Sequence, residues 1–252
     1  VNIAQQFKAH YEGNDYELFK HISEINPEPY TAFFSTPQYV LSLYSPECFM
    51  KITERRIISR PIKGTRPRSI DPIKDHQLAQ ELLQSQKDEA ELLMIVDLVR
   101  NDLGKVCQYG SVHVTELNRL ETHPHVHHLV ATVEGTLNEG CHHLDALKAL
   151  FPGGSITGAP KKRSMEIIHE IEPDRRNIYT GAFGYVGFNQ RTELAMIIRN
   201  LMRVENTLTF YAGSGIVADS EPLAEYEETL EKAKHIFTFL DPNNGEKTIF
   251  TR

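Results

Sequence analysis

The chain has 252 residues, with 27 Lys and Arg against 34 Asp and Glu, giving a formal charge of −7. A hydrophobic fraction of 40% beside 24% charged residues argues against wholesale disorder, and the acidic balance makes a poor generic nucleic-acid binder. No apolar run approaches the roughly 20 residues that span a bilayer. The three scattered cysteines, Cys48, Cys107 and Cys141, form neither a disulfide framework nor a zinc pattern, which points to a reducing compartment, the cytoplasm.

VNIAQQFKAHY at the start reads as an alternating strand, and a terminus inside a strand pattern suggests a truncated chain. Tyr30 to Tyr44 reads as two short strands around a Thr36-Pro37 turn, and Arg56 to Arg60 as another. A Pro/Arg/Gly-rich loop, PIKGTRPRS, follows at 61–69. Asp71-Pro72 then opens one long helix to about Asp102, whose last turns, ELLMIVDLV, are apolar nearly all round and therefore expected in the core. Further strands are expected at 111–114 and 127–133. A glycine loop, FPGGS, leads to a helix with an apolar stripe of Met165, Ile168 and Ile171, stopped by Pro173. Strands at 181–188, 193–199 and 207–212 precede a last helix from about Ser220 to Leu240, and the tail at 241–252 is polar. Short strand-to-strand links favour antiparallel sheets packed with helices, an α+β (mixed α/β) fold. One domain is expected over 1–240.

Three tempting motifs fail. Gly213-Ser214-Gly215 opens a dinucleotide-like G-x-G-x-x-A string, but the chain supplies no second strand to complete the βαβ unit. Gly153 to Gly158 has the spacing of a phosphate loop, yet Ala159-Pro160 stand where Gly-Lys is required. His123, His125 and His127 alternate along a strand entry without a further ligand, so they read as solvated histidines rather than a metal site, while His128 points the other way.

Two acidic pairs, Asp88/Glu91 and Glu225/Glu228, stand three residues apart on helices and so share a face. Converging, they would form a hard oxygen site for Mg²⁺.

The strings SPECF (45–49), PIKGTRPR (61–68), AELLMIVDLVRNDLGKV (90–106), HHLVATVEG (127–135) and FPGGSITGAPKKRSMEII (151–168) carry a resemblance that continues through GYVGF (184–188), IIRN (197–200), AGSGIVADS (212–220) and EYEETLEKA (225–233). Together, in this order, they resemble the chorismate-utilising enzymes. The resemblance implies the anthranilate synthase component I-like fold lacking its N-terminal part, and a Mg²⁺-dependent reaction on chorismate. It implies Glu91 and Glu228 as principal Mg²⁺ ligands, with Glu225 and Asp88 direct or through water. Tyr185, Arg199, Lys232 and the backbone around Gly213, Ser214 and Gly215 would hold substrate carboxylates. Gly64 and Thr65 would line the ring, His128 would hydrogen-bond near the reacting face, and Glu47 would protonate the departing C4 oxygen.

Lys63 separates the members. PIKGT is the pattern of the aminodeoxychorismate synthases, whereas the anthranilate synthases carry PIAGT. In the former, the resemblance implies, the lysine attacks C2 as the C4 hydroxyl leaves, and ammonia from a glutamine amidotransferase subunit enters at C4 and displaces it. The product would be 4-amino-4-deoxychorismate, the precursor of p-aminobenzoate for folate. A neutral amine is required, to which Arg60, Arg66 or Arg68 could contribute by facing inward. The alternatives are an anthranilate synthase component I and a chorismate-binding fragment without turnover. Cys48 departs from the arginine usual at its position, with little effect expected on the chemistry.

Overall fold

The computed structural model describes residues 1–240; the tail expected at 241–252 lies outside them. The chain runs through β1 (Asn2–His10), α1 (Asp15–Ile25), β2 (Tyr30–Ser35), β3 (Val40–Ser45), β4 (Cys48–Thr53), β5 (Arg56–Arg60) and β6 (Ile62–Pro67). Helices α2 (Pro72–Leu83) and α3 (Gln86–Gly104) precede the long hairpin β7 (His113–Thr122) and β8 (Val126–Thr136). Then come α4 (His143–Leu150), α5 (Lys161–Ile171), β9 (Ala182–Val186), β10 (Arg191–Met196), β11 (Asn200–Val204), β12 (Thr207–Gly215) and α6 (Pro222–Leu240). The strand pairings among the described residues are antiparallel, in keeping with the short connections. No helix among the described residues is long and apolar enough to cross a membrane.

Contacts divide the chain into two compact units built from discontinuous segments. The first comprises Val1–Pro46, Pro160–Gly181 and the chain from Ile197, and holds a five-stranded sheet in the order β1-β12-β11-β3-β2. Phe7 and Phe210 stack at 5.0 Å, with Phe237 of α6 edge-on to both. The open side of β1 is closed by side chains. Ala4 N–H donates to Glu172 Oε1 at 2.8 Å, and Arg176 Nη2 donates to the Asn2 carbonyl at 2.8 Å while pairing with Glu172. These contacts cover the first residues of the edge strand, where they occupy backbone groups that could otherwise template further pairing.

The second unit, Glu47–Ala159 and Ala182–Met196, holds a seven-stranded sheet in which β8 pairs with β6 and β5 on one side and β7 on the other. Central placement explains why β8 is buried along nearly its whole length. Leu92, Ile95, Val96, Val99 and Leu103 of α3 are buried, as its apolar run foretold, although Leu93 stays 43% exposed.

Several elements differ from the sequence expectation. The long helix from Asp71 is two: Ser85 caps α3, its Oγ accepting the Asp88 N–H. The 61–69 loop is mostly strand β6. Helix α1 was not foreseen, although Asn14 caps it by accepting from the Tyr16 and Glu17 N–H groups. The stripe on α5 does not face the core: Met165 is 44% and Ile171 60% exposed, and the helix buries Ser164 instead.

Candidate active site

In the second unit the PIKGT segment forms the bulged part of β6. Lys63 pairs with Leu129 and Thr65 with His128, so Gly64 is the extra residue. Its φ is +75°, and a Cβ there would lie 2.8 Å from Leu82 Cδ1 and 3.0 Å from Asp88 Cβ and Cγ. Glycine is therefore required twice, for the left-handed backbone and for the close approach of α3. Gly64→Ala is expected to destabilise the fold by about 2–4 kcal/mol, from backbone strain plus overpacking. An unchanged denaturant midpoint would show that neither constraint holds.

The bulge resets the alternation of side chains around Lys63. Thr65 Oγ1 lies 3.0 Å from His128 Nδ1, and His128 is 1% exposed. The neighbouring arginines do not crowd the lysine with unpaired charge. Arg60 pairs with Glu121, Arg66 with Asp88 at 3.1 Å, and Arg68 with Asp75 at 2.8 Å. That corrects the expectation that an inward arginine would help keep Lys63 neutral.

What Lys63 meets instead is Glu47. This carboxyl, in the short link between β3 and β4, is 5% exposed, and burial pushes its pKa up to about 7 against the opposing pull of the Ser155 hydrogen bond and the Lys63 charge. The two groups are thus in electrostatic reach. Glu47, Ser59, Asp102 and Ser155 also line a cavity, floored by Gly153 and Gly154, with room for about one water. The glycines of FPGGS serve packing: a Cβ on Gly153 would fall 2.3 Å from Met196 Cε, and one on Gly154 would fall 2.7 Å from Leu98 Cδ2. Their closeness brings Ser155 onto Glu47, a partner the sequence reading missed.

The rest of the expected set in this unit is spread over α3 and β9. Asp88 is compensated by Arg66 at 3.1 Å, whereas Lys87, half exposed, stands at 4.0 Å from Glu91. Tyr185 on β9 is 52% exposed. The strand-entry histidines are not all solvated: His127 is 3% exposed, with Nε2 at 3.2 Å from Asp75 and Nδ1 at 3.0 Å from Thr122 Oγ1. Asp75 also takes Arg68 and the Ser69 N–H, which tie the end of β6 to α2 and hold its carboxyl far below the usual range. Cys48 is buried, as its strand position next to Glu47 implies.

In the first unit, the end of β12 and the start of α6 enclose a second polar group. The Ala4 N–H turns outward to Glu172, so Ala4 and Gly213 are a non-hydrogen-bonded pair and the Gly213 N–H and C=O both point away from β1. Gly215, two residues on, shares that orientation. Lys232 Nζ donates to the Gly213 carbonyl at 3.0 Å and to Glu228 Oε1 at 2.6 Å. Burial would raise the Glu228 pKa, but the Lys232 charge and the Lys232 and Ser214 hydrogen bonds outweigh it and the carboxyl is held low. Ser214, 2% exposed, lies against both Glu225 Oε2 and Glu228 Oε1, and Ser220 Oγ donates to Glu225 Oε1 at 2.7 Å. Arg199 is not open on all sides, since its Nη1 donates to Glu28. Among the described residues no three His, Cys, Asp or Glu side chains gather as a ready metal cluster; the four carboxylates occur as one pair in each unit.

A family profile described as chorismate binding enzyme matches residues 1–238. The chain belongs to the chorismate-binding enzyme family. It is 48% identical to aminodeoxychorismate synthase component 1 of Salmonella typhimurium over 94% of this chain and 52% of that protein. It is 43% identical to an anthranilate synthase component 1 of Haloarcula marismortui over 99% of this chain and 50% of the relative. The crystal structure of anthranilate synthase component I from Streptococcus pneumoniae superposes with a TM-score of 0.86 at 34% identity, over 96% of this chain and 53% of that one. The expected α+β fold is therefore present. This member of the family spans about half the length of the curated relatives it matches.

Proposed function

We propose that this chain carries the chorismate-aminating chemistry of an aminodeoxychorismate synthase component 1: chorismate and ammonia give 4-amino-4-deoxychorismate and water. The observation that carries the reading is the electrostatic proximity of Lys63, on the glycine bulge of β6, to the buried Glu47. Nucleophile and acid need opposite protonation changes. The amine must lose a proton to attack, and the carboxyl must hold one to release the C4 hydroxyl as water. One proton passed from Lys63 to Glu47 satisfies both. Burial favours the resulting neutral pair over an ion pair, which is the direction in which the Glu47 pKa is displaced.

In the ensuing steps the Lys63 nitrogen bonds to C2, the ring double bond shifts, and the C4–O bond breaks as Glu47 gives its proton to the leaving oxygen. Ammonia then bonds to C4 and the C2–N bond to Lys63 breaks. Thr65 keeps His128 oriented beside this strand. In the first unit, Arg199 and the outward N–H groups of Gly213 and Gly215 are donors of the kind that suit carboxylates.

The residues also fit Mg²⁺. A serine hydroxyl has one proton to give, yet Ser214 lies against an oxygen of each of Glu225 and Glu228. The second contact sets lone pairs against lone pairs until a proton or cation intervenes. In the first unit Glu225 and Glu228 would hold Mg²⁺; in the second, Glu91 is the more available acid, since Arg66 already neutralises Asp88. When bound, Mg²⁺ neutralises a carboxylate of the substrate. The ammonia would come from a glutamine amidotransferase subunit, in keeping with relatives named as component 1.

Product analysis tests the reading. With chorismate, Mg²⁺ and ammonium, chromatography is expected to show aminodeoxychorismate. Anthranilate as the main product would assign the chain to the other branch of its relatives, and no product with retained chorismate binding would make it a binding fragment.

A further inference from the structure

Glu28 has no place in the chemistry above, yet it is built as carefully as the groups that do. It stands in the connection between α1 and β2, between Pro27 and Pro29. The two proline rings fix φ on either side, and Pro29 keeps Glu28 itself out of the helical region. Thr31 Oγ1 donates to the Glu28 carbonyl at 2.9 Å, and Asn26 Nδ2 approaches Oε1 at 3.5 Å. The chain would make this turn without a carboxylate. Burying one is costly unless it is paired.

Its partner is Arg199. The Glu28 side chain is 3% exposed and the Arg199 side chain 29%, so the carboxylate is the buried member and the guanidinium keeps part of its surface open. Arg199 itself has φ of +50°, a conformation strained for anything but glycine, and its carbonyl accepts the Tyr44 N–H at 3.1 Å. Backbone and side chain are each held by a separate contact. A guanidinium carries five donors in a planar fork, and Glu28 engages it through Nη1.

We propose that Glu28 is a positioning residue for Arg199, gripping one edge of the guanidinium so that its other donors present a fixed bidentate face to a substrate carboxylate. The inference rests on the reading of Arg199 as a substrate-carboxylate donor. An arginine held on one side loses less side-chain freedom on binding, so the benefit falls on affinity rather than on the bond-breaking steps.

Calorimetric titration of chorismate into the Mg²⁺-loaded protein, with a thermal melt of each variant, tests this. Glu28→Ala is expected to raise the chorismate Kd about tenfold, within the range of coupled neighbours, and Glu28→Gln about threefold, since an acceptor remains while the charge is lost. In steady-state assays KM should follow the same order while kcat moves less than about twofold. In an Arg199→Lys background Glu28→Ala should add little. If Arg199→Lys weakens binding while Glu28→Gln and Glu28→Ala bind as the parent does, with or without a lower melting temperature, Glu28 is structural only and the proposal fails. If Arg199→Lys leaves binding unchanged, the reading of Arg199 fails first. Should Glu28→Ala not fold, the near-isosteric Gln variant decides alone.

Discussion

Lys63→Ala is expected to lower aminodeoxychorismate formation by about three orders of magnitude or more, with a much smaller change in chorismate affinity. The reason lies in the placement of one amine. The Gly64 bulge puts Lys63 opposite Leu129 and returns Thr65 to His128, leaving the ammonium within reach of the buried Glu47. No second amine is offered by the flanking arginines, each of which is committed to a carboxylate. Lys63→Arg should fail as completely, because a guanidinium does not give up its proton to become a nucleophile. A Lys63→Ala enzyme that aminates chorismate at the parent rate would remove the lysine from the chemistry.

Glu47→Gln is the second large effect, a fall in kcat of about 10²–10⁴, the usual worth of a positioned acid. Its pH dependence is diagnostic. Burial moves the Glu47 pKa from 4.5 to about 7, the pH at which the carboxyl and the nearby Lys63 ammonium together pass from two protons to the single shared one the mechanism uses. The parent rate should therefore rise as pH passes through that value, and the residual rate of the Gln variant should not show this step. Stability follows the same group. Because the folded protein binds this proton more tightly than the unfolded chain, the contribution is complete below about 4.5 and lost as pH rises through about 7. The full swing corresponds to roughly 3 kcal/mol, so Glu47→Gln should unfold at higher denaturant than the parent at alkaline pH. Identical pH profiles for the two proteins would place the ionisation elsewhere.

What could be read from the residues beforehand was mostly local. The terminal strand, the apolar face of α3 and the antiparallel connections follow from period and turn chemistry within a few residues. The division of the supposed 71–102 helix was also local, since Ser85 with Asp88 three residues on is a cap signal, and Asn14 marks α1 in the same way. The α5 stripe misled because period shows that one face is apolar without showing that anything covers it. Pairings between distant residues were out of reach altogether. Ser155 meets Glu47 across 108 residues and Arg199 meets Glu28 across 171. Each joins side chains that no spacing rule connects, through glycines or prolines whose role is clear only once the neighbouring backbone is in place.

The motifs identified which residue types the chemistry needs; the fold shows how their charges are balanced. The −7 charge is not spread idly. Asp75, Asp88, Glu121 and Glu172 are committed to arginines, whereas Glu225 and Glu228 are met by Ser214, Ser220 and a single cation, Lys232, which pairs with Glu228. That imbalance distinguishes a carboxylate pair suited to a cation from those that hold the structure together.

The most direct test of the Lys63 chemistry is the mass of the peptide that contains it, after quenching with chorismate and Mg²⁺ in the absence of ammonia. The expected result is a Lys63 peptide heavier by chorismate less one water, discharged when ammonium is added before the quench. An unmodified Lys63 peptide from enzyme that still forms aminodeoxychorismate on adding ammonium would contradict it.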